Sequence, residues 1–199
     1  MRYIIKLLIL SYTLISLTGC ATTKSFSPES KKNIHSISVD KIKNPDVVYY
    51  YPPGAALIGV IAIAMTKDVP VQLAKEAKDN NILISEMVRQ KMLADLSHSS
   101  QFKLANDAKS ADANLKIDIT LYGFTVPNGF SSKVVPMLNL HAQLLQGANV
   151  VWENSYFVNA LDGLPSNRPD DILHNPALMR TSLQDAVNKG VPGLLAKMK

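Results

Sequence analysis

Hydrophobic residues recur along this chain with different periods, and each period predicts an element. Alternation is cleanest in LKIDITLYGF, where Leu115, Ile117, Ile119 and Leu121 fall on one face and Lys116, Asp118 and Thr120 on the other. That is the pattern of a strand packed on one side only. MLNLHAQLL repeats it, with Leu138, Leu140, Ala142 and Leu144 set against Asn139, His141 and Gln143. Gly147 and then VVWENSYFV follow, so 137–158 predicts a β-hairpin. IHSISVDKI at 34–42 and FKLAN at 102–106 predict shorter strands. Helical spacing appears from Pro70 onward, with Val71, Ala74 and Lys75 in register, and Asp79, Asn80 and Asn81 supply a break and a cap. In ILISEMVRQKMLADLSHS, Ile84, Val88 and Met92 share a face with Leu93 and Leu96, an amphipathic helix. Asn175 and Pro176 start a last helix with a stripe of Leu178, Thr181, Leu183, Ala186 and Val187; Gly190 and Pro192 are expected to end it, leaving GLLAKMK as a separate turn. The predicted fold is α+β: a mostly antiparallel sheet of about four to five strands with helices packed on one face.

Two stretches have no polar face at any period. The first, LLILSYTLISL at 7–17, follows Arg2 and Lys6, the only charges before Cys20, and precedes the small residues Thr18 and Gly19. A basic start, a short apolar middle and a small-residue cleavage site form a secretory signal. Leu7 to Gly19 as a helix covers roughly 20 Å, less than the roughly 30 Å of a hydrocarbon core. LTGC, residues 17–20, resembles the lipobox of bacterial lipoproteins. The resemblance implies removal of 1–19, a thioether-linked diacylglycerol on Cys20, and Cys20 as the first mature residue. A thiolate is the side chain suited to that alkylation, and two acyl chains suffice for stable anchoring. Ala21 stands where an aspartate would favour inner-membrane retention in the sorting rule of such lipoproteins. The implied address is therefore the periplasmic face of an outer membrane. Residues 20–33, polar with one proline, read as an acylated N-terminus and flexible tether to a single domain at 34–199.

The second stretch is AALIGVIAIAM, 55–65, inside an insertion at 44–78 that begins with the extended, proline-stiffened DVVYYYPPG. Eleven residues of helix cover about 17 Å, too little to cross a bilayer. Core helix or hairpin, a contact for a partner or a second copy, and shallow membrane insertion all fit it. Leu57, Ile58 and Ile61 are the candidate partner-binding residues there, because large apolar patches left exposed usually mark interaction sites.

Composition narrows the chemistry. Cys20 is the only cysteine, so an exported domain has no internal disulfide and no thiolate metal site. Without Arg2 and Lys6 the mature chain carries 19 basic against 16 acidic side chains, a mild formal charge of +3. No Arg-rich helix or basic–aromatic interleaving suggests nucleic acid as a partner. His35, His98, His141 and His174 lack a second ligand at metal spacing, and no GxSxG elbow, phosphate loop or dinucleotide fingerprint occurs. The expectation is no enzyme activity, no cofactor and no metal. Trp152 reads either as core or as a partner anchor.

IHSISVD, the helix ending MLADL, FKLANDAKSADANLKIDITLYGF and the hairpin strand VVWENS together resemble a group of envelope proteins. The group contains the TolB amino-terminal domain, the curli-secretion lipoprotein and the lipoprotein activators of peptidoglycan synthases. The resemblance covers 34–42 and 79–158 and implies the fold, not the partner. The functional expectation is a membrane-anchored envelope lipoprotein that docks another envelope component. The alternatives are a self-assembling structural subunit and a lipid-binding protein or cell-wall enzyme.

Overall fold

The structure, a computed structural model, describes residues 23–52, 68–128 and 131–198. Its elements in chain order are α1 (Pro28–Asn33), β1 (Ser36–Val39), β2 (Tyr49–Tyr50), α2 (Val69–Asp79), α3 (Ile84–Ser97) and β3 (Lys103–Leu104). After these come β4 (Ala113–Thr125), β5 (Val135–Gln146), β6 (Asn149–Val158), a 3₁₀ turn (Ala160–Asp162), α4 (Pro169–His174) and α5 (Pro176–Leu195). The sheet order is β3-β1-β4-β5-β6, with β2 pairing β4 beyond β1. β4, β5 and β6 form the antiparallel body, while β1 and β2 run parallel to β4 and β3 runs parallel to β1. The α+β architecture with a mostly antiparallel sheet is as expected, and two two-residue strands bring the described strands to six.

The hairpin forms where Gly147 and Ala148 connect Gln146 to Asn149. Gly147 has φ 59°, which costs glycine no steric clash. The β4 alternation shifts partway along the strand, a difference from the sequence reading. A register irregularity between Ile119 and Leu121 moves Tyr122 and Phe124 into the core and turns Leu121 to the opposite face.

Helix α5 lies on β5 and β6, and α3 packs beside it, so both bury their stripes on one face of the sheet. Asn175 caps α5 as expected, its side-chain oxygen accepting from Leu178 N at 3.1 Å. The helix does not end at Gly190 or Pro192. Val187, Gly190, Val191, Leu194 and Leu195 continue one buried stripe, and Pro192 sits on the exposed side. Burial of that stripe outweighs the cost of the proline. The glycines serve approach: a Cβ on Gly190 would lie 3.1 Å from Val158 Cγ2, and one on Gly193 would lie 2.4 Å from the Tyr156 ring. Thr181, placed on the expected stripe, is exposed; Met179 and Ser182 take the core positions. In α2 the buried residues are Leu73 and Ala77, and Val71 is 68% exposed. The α3 cap also comes from elsewhere, because Asn44 Oδ1 accepts from Ser85 N at 3.2 Å.

Residues 23–33 are not a free tether. They are folded onto the domain, so its described boundary moves from 34 to 23.

Candidate functional site

The docked N-terminal segment is built from local signals that the polar composition hides. Ser27 caps α1, its Oγ accepting from Ser30 N at 3.1 Å, and Pro28 opens the helix. Phe26, just before this cap, is buried and stacks on Phe102 with ring centroids 6.0 Å apart and planes at 28°. The Lys31 ammonium lies 5.7 Å over the Phe26 ring. Two residues earlier Lys24 pairs antiparallel with Glu153 on the outer edge of β6, through N–H···O bonds of 2.9 and 3.0 Å. The Lys24 ammonium also donates to the Val150 carbonyl. A short added strand thus covers part of an edge that would otherwise present unpaired backbone.

That bridge fixes a direction. Because it is antiparallel, the chain going back from Lys24 to Thr23 runs toward the end of β6 that holds Phe157. At that end the surface is apolar. Tyr51, Leu121, Thr125, Met137, Phe157, Asn159 and Ala160 line a shallow groove of about 320 Å³. Tyr49 is 40% exposed, Tyr51 43%, Phe157 47% and Leu161 91%. Gly123 makes room for this cluster: its φ is 147°, and a Cβ there would stand 1.9 Å from the Tyr49 carbonyl oxygen. Only glycine lets β2 lie against β4 at that point. The 3₁₀ turn that carries Leu161 is held by a capping box. Asn159 Oδ1 accepts from Leu161 N, and Asp162 Oδ2 accepts from Asn159 N at 2.9 Å.

Other polar groups lie elsewhere. A cleft of about 730 Å³ between the 44–46 loop and α2 is lined by Asn44, Asp46, Lys75, Lys78 and Tyr122 among others. Burial, with a smaller contribution from Asp46, pushes the Tyr122 phenol above its ordinary value. On the helix-free face of the sheet, Asp118, His141 and Ser155 are direct cross-strand neighbours. The His141 ring turns to Glu153 instead, with Nε2 2.8 Å from Oε1, and Gln143 donates to the same oxygen at 2.9 Å. His141 is therefore partnered and half-buried, since flanking strands shield it. Asp112 accepts from His35 N, Ser36 N and Ser36 Oγ, each at 2.9 Å, and these bonds hold its carboxyl below the ordinary value. It ties β1 to the start of β4. Asp170 and Asp171 occupy the first turn of α4. Among the described residues no group of three or more His, Cys, Asp and Glu converges to hold a metal ion.

Of the residues predicted to matter, Cys20, Leu57, Ile58 and Ile61 lie outside the described residues. Of its two readings, core and partner anchor, Trp152 has the first in the structure. It is fully buried, and its indole N–H donates to the Lys197 carbonyl at 3.2 Å. Asn154 beside it donates to the Leu194 carbonyl at 2.8 Å. Two β6 side chains thus satisfy carbonyls at the end of α5, where no glycine cap is present. The sequence reading missed Phe26, Tyr49, Tyr51, Phe157 and Leu161. Ser27–Pro28 carries the same cap-plus-proline signal as Asn175–Pro176 and would have revealed α1. No local signal joins residues 49–51 to 157–161.

Comparison with known proteins gives no family and no curated relative: no protein-family profile matches the chain, and no curated protein matches it in sequence. Among solved structures it is similar in overall path to protein XCC0632 from Xanthomonas campestris, described under the family DUF330. That likeness has TM-score 0.49 and 13% identity, over 82% of this chain and 84% of that one. A point variant of the PelC dodecamer from Paraburkholderia phytofirmans aligns with TM-score 0.38 and 9% identity, over 89% and 95% of the two chains. Another crystal form of the PelC dodecamer aligns with TM-score 0.35 and 12% identity, over 90% and 98%. Likenesses this low carry no argument about function, which rests on the residues of this chain alone.

Proposed function

We propose that this chain is a non-enzymatic bacterial envelope lipoprotein. Cys20 carries the lipid that holds it at the periplasmic face of the outer membrane, and the α+β domain docks another envelope component. The observation that carries the reading is the close succession of two features. LTGC ends at Cys20, and only four residues later Lys24 is paired into the edge of the sheet. Four residues of chain reach at most about 14 Å, so an acylated Cys20 would hold the domain against the lipid surface. Confinement of that kind raises the local concentration of a partner in the same membrane and turns encounter into a near-intramolecular step.

The 55–65 stretch is the favoured partner contact in this reading, through Leu57, Ile58 and Ile61. Its eleven apolar residues begin four positions after Tyr51 in the chain. Two measurements test the two halves. Cys20→Ser removes the acceptor for lipid, so palmitate labelling and membrane fractionation are both expected to be lost; retention of both sinks the anchor. Ile58→Asp with Ile61→Asp is expected to deplete the partner from a detergent pull-down while the protein stays folded and lipidated. An unchanged set of captured proteins removes this contact.

A further inference from the structure

We propose that the apolar end of the sheet, formed by Tyr49, Tyr51, Phe157 and Leu161, is a second membrane contact that fixes how the domain stands on a phospholipid bilayer. The inference rests on lipidation of Cys20, and adds to it a face, an orientation and an occupant.

The chain outside the described N-terminus defines the occupant. The described chain begins at Thr23 on the outer edge of β6, heading toward Phe157. From Lys24 back to Cys20 is four residues, at most about 14 Å. From Glu153, its bridge partner, forward to Phe157 is also four residues, about 13 Å along a strand. At full stretch the leash is therefore as long as the strand edge from the bridge to Phe157. A lipid on Cys20 has its root within reach of Phe157 and the groove beside it. The far end of the sheet, at the Gly147–Ala148 hairpin turn, lies about 17 Å along β6 on the other side of the bridge.

The side chains suit an interface. Tyr51 and Phe157 line one groove, and Tyr49 and Leu161 are exposed within two residues of its lining in the chain. Tyrosine places an apolar ring and a polar hydroxyl at the level where headgroups meet acyl chains. The 3₁₀ turn presents Leu161 at 91% exposure on a backbone fixed by its own capping box, the position of a wedge and not of a loose loop. Two acyl chains already anchor the protein, so this contact adds orientation more than affinity. Phe157 and Leu121 lie on the helix-free face, both opposite Asn139, so the helix-bearing face would then stand away from the lipid plane, free for a partner.

The test uses full-length protein acylated at Cys20, in vesicles of phosphatidylethanolamine and phosphatidylglycerol. Leu161→Cys, Phe157→Cys and, at the opposite end, Ala148→Cys each receive an environment-sensitive thiol dye; a thioether-linked Cys20 takes none. The expected result is a blue shift and strong quenching by nitroxide on the lipid chains for the dyes at 161 and 157, which enter about 5–10 Å below the headgroup boundary. The dye at 148 should keep its aqueous emission and its quenching by iodide. The inference is overturned if the dyes at 161 and 157 behave like the one at 148. It is equally overturned if they are shielded from iodide without being quenched from the lipid, since a protein or a second copy then covers them. Flotation separates the two failures. Protein that does not float with vesicles sinks the anchor and this inference together, whereas floating protein with water-exposed dyes sinks the orientation alone.

Discussion

Replacing Phe26 with alanine should release the N-terminal segment without unfolding the domain. Phe26 is buried, stacked on Phe102 and covered by Lys31. Truncating a buried phenylalanine costs about 3–5 kcal/mol, of which the ring pair accounts for about 0.5–1.5 kcal/mol. What else holds the segment is smaller: two backbone bonds between Lys24 and Glu153 contribute about 1 kcal/mol each. Loss of the ring therefore removes most of the docking free energy, and the segment opens locally. Global stability falls by less than the full truncation cost, because unfolding cannot lose a contact that the folded state no longer makes. Amide hydrogen exchange reads this directly. The Lys24 and Glu153 amides should exchange about 100-fold faster, the factor matching nearly 3 kcal/mol, while the Ala142 amide at the centre of β5 changes little. Phe26→Leu should restore most of the protection. Equal acceleration at all three amides, or none at any, would refute the reasoning. In the membrane the same variant lengthens the free chain between Cys20 and Ile34 to a coil of about 20 Å, so the domain should lose its fixed height above the lipid.

Two further outcomes follow from particular residues. Gly123→Ala puts a Cβ 1.9 Å from the Tyr49 carbonyl at a φ of 147°, so β2 should leave β4. Strain of about 1–3 kcal/mol sets the lower bound on the loss, and denaturant melts with exchange at Tyr51 check it; a wild-type midpoint with a protected Tyr51 amide would contradict the clash. Asp112 has a carboxyl pKa below its ordinary value because three donors favour the charged form. A depressed carboxylate pKa stabilises the fold above the unfolded-state value of about 3.9 and loses that contribution as pH falls through the folded-state value. Asp112→Asn should therefore lower stability near neutral pH and flatten the acid limb of a stability–pH curve, and an unchanged acid limb would remove Asp112 from that role.

The body of the fold was legible because it depends on one boundary. β4, β5 and β6 each have a core side and an open side, and water on the latter writes period-two alternation into the sequence. The α3 stripe and the Asn175–Pro176 start of α5 are equally local. What misled was also local: Gly190 and Pro192 look like a helix end, but the stripe beyond them is buried and the glycines are there to let α5 approach β6. β3 falls inside the strand expected at 102–106, whereas the two-residue β2 carries too few residues to show any period. β2 exists only because β4 presents an edge to it.

By itself the sequence determined the candidate anchor, since a basic start, an apolar run and LTGC act as a linear signal that needs no fold. It also determined the antiparallel body and its helices, through periodicity. Only tertiary structure decided that 23–33 is part of the domain, that Trp152 is core, and that Tyr51 and Phe157 line one groove. Those residues are about a hundred positions apart, and nothing short-range in a chain records which distant edges will meet once strands pair.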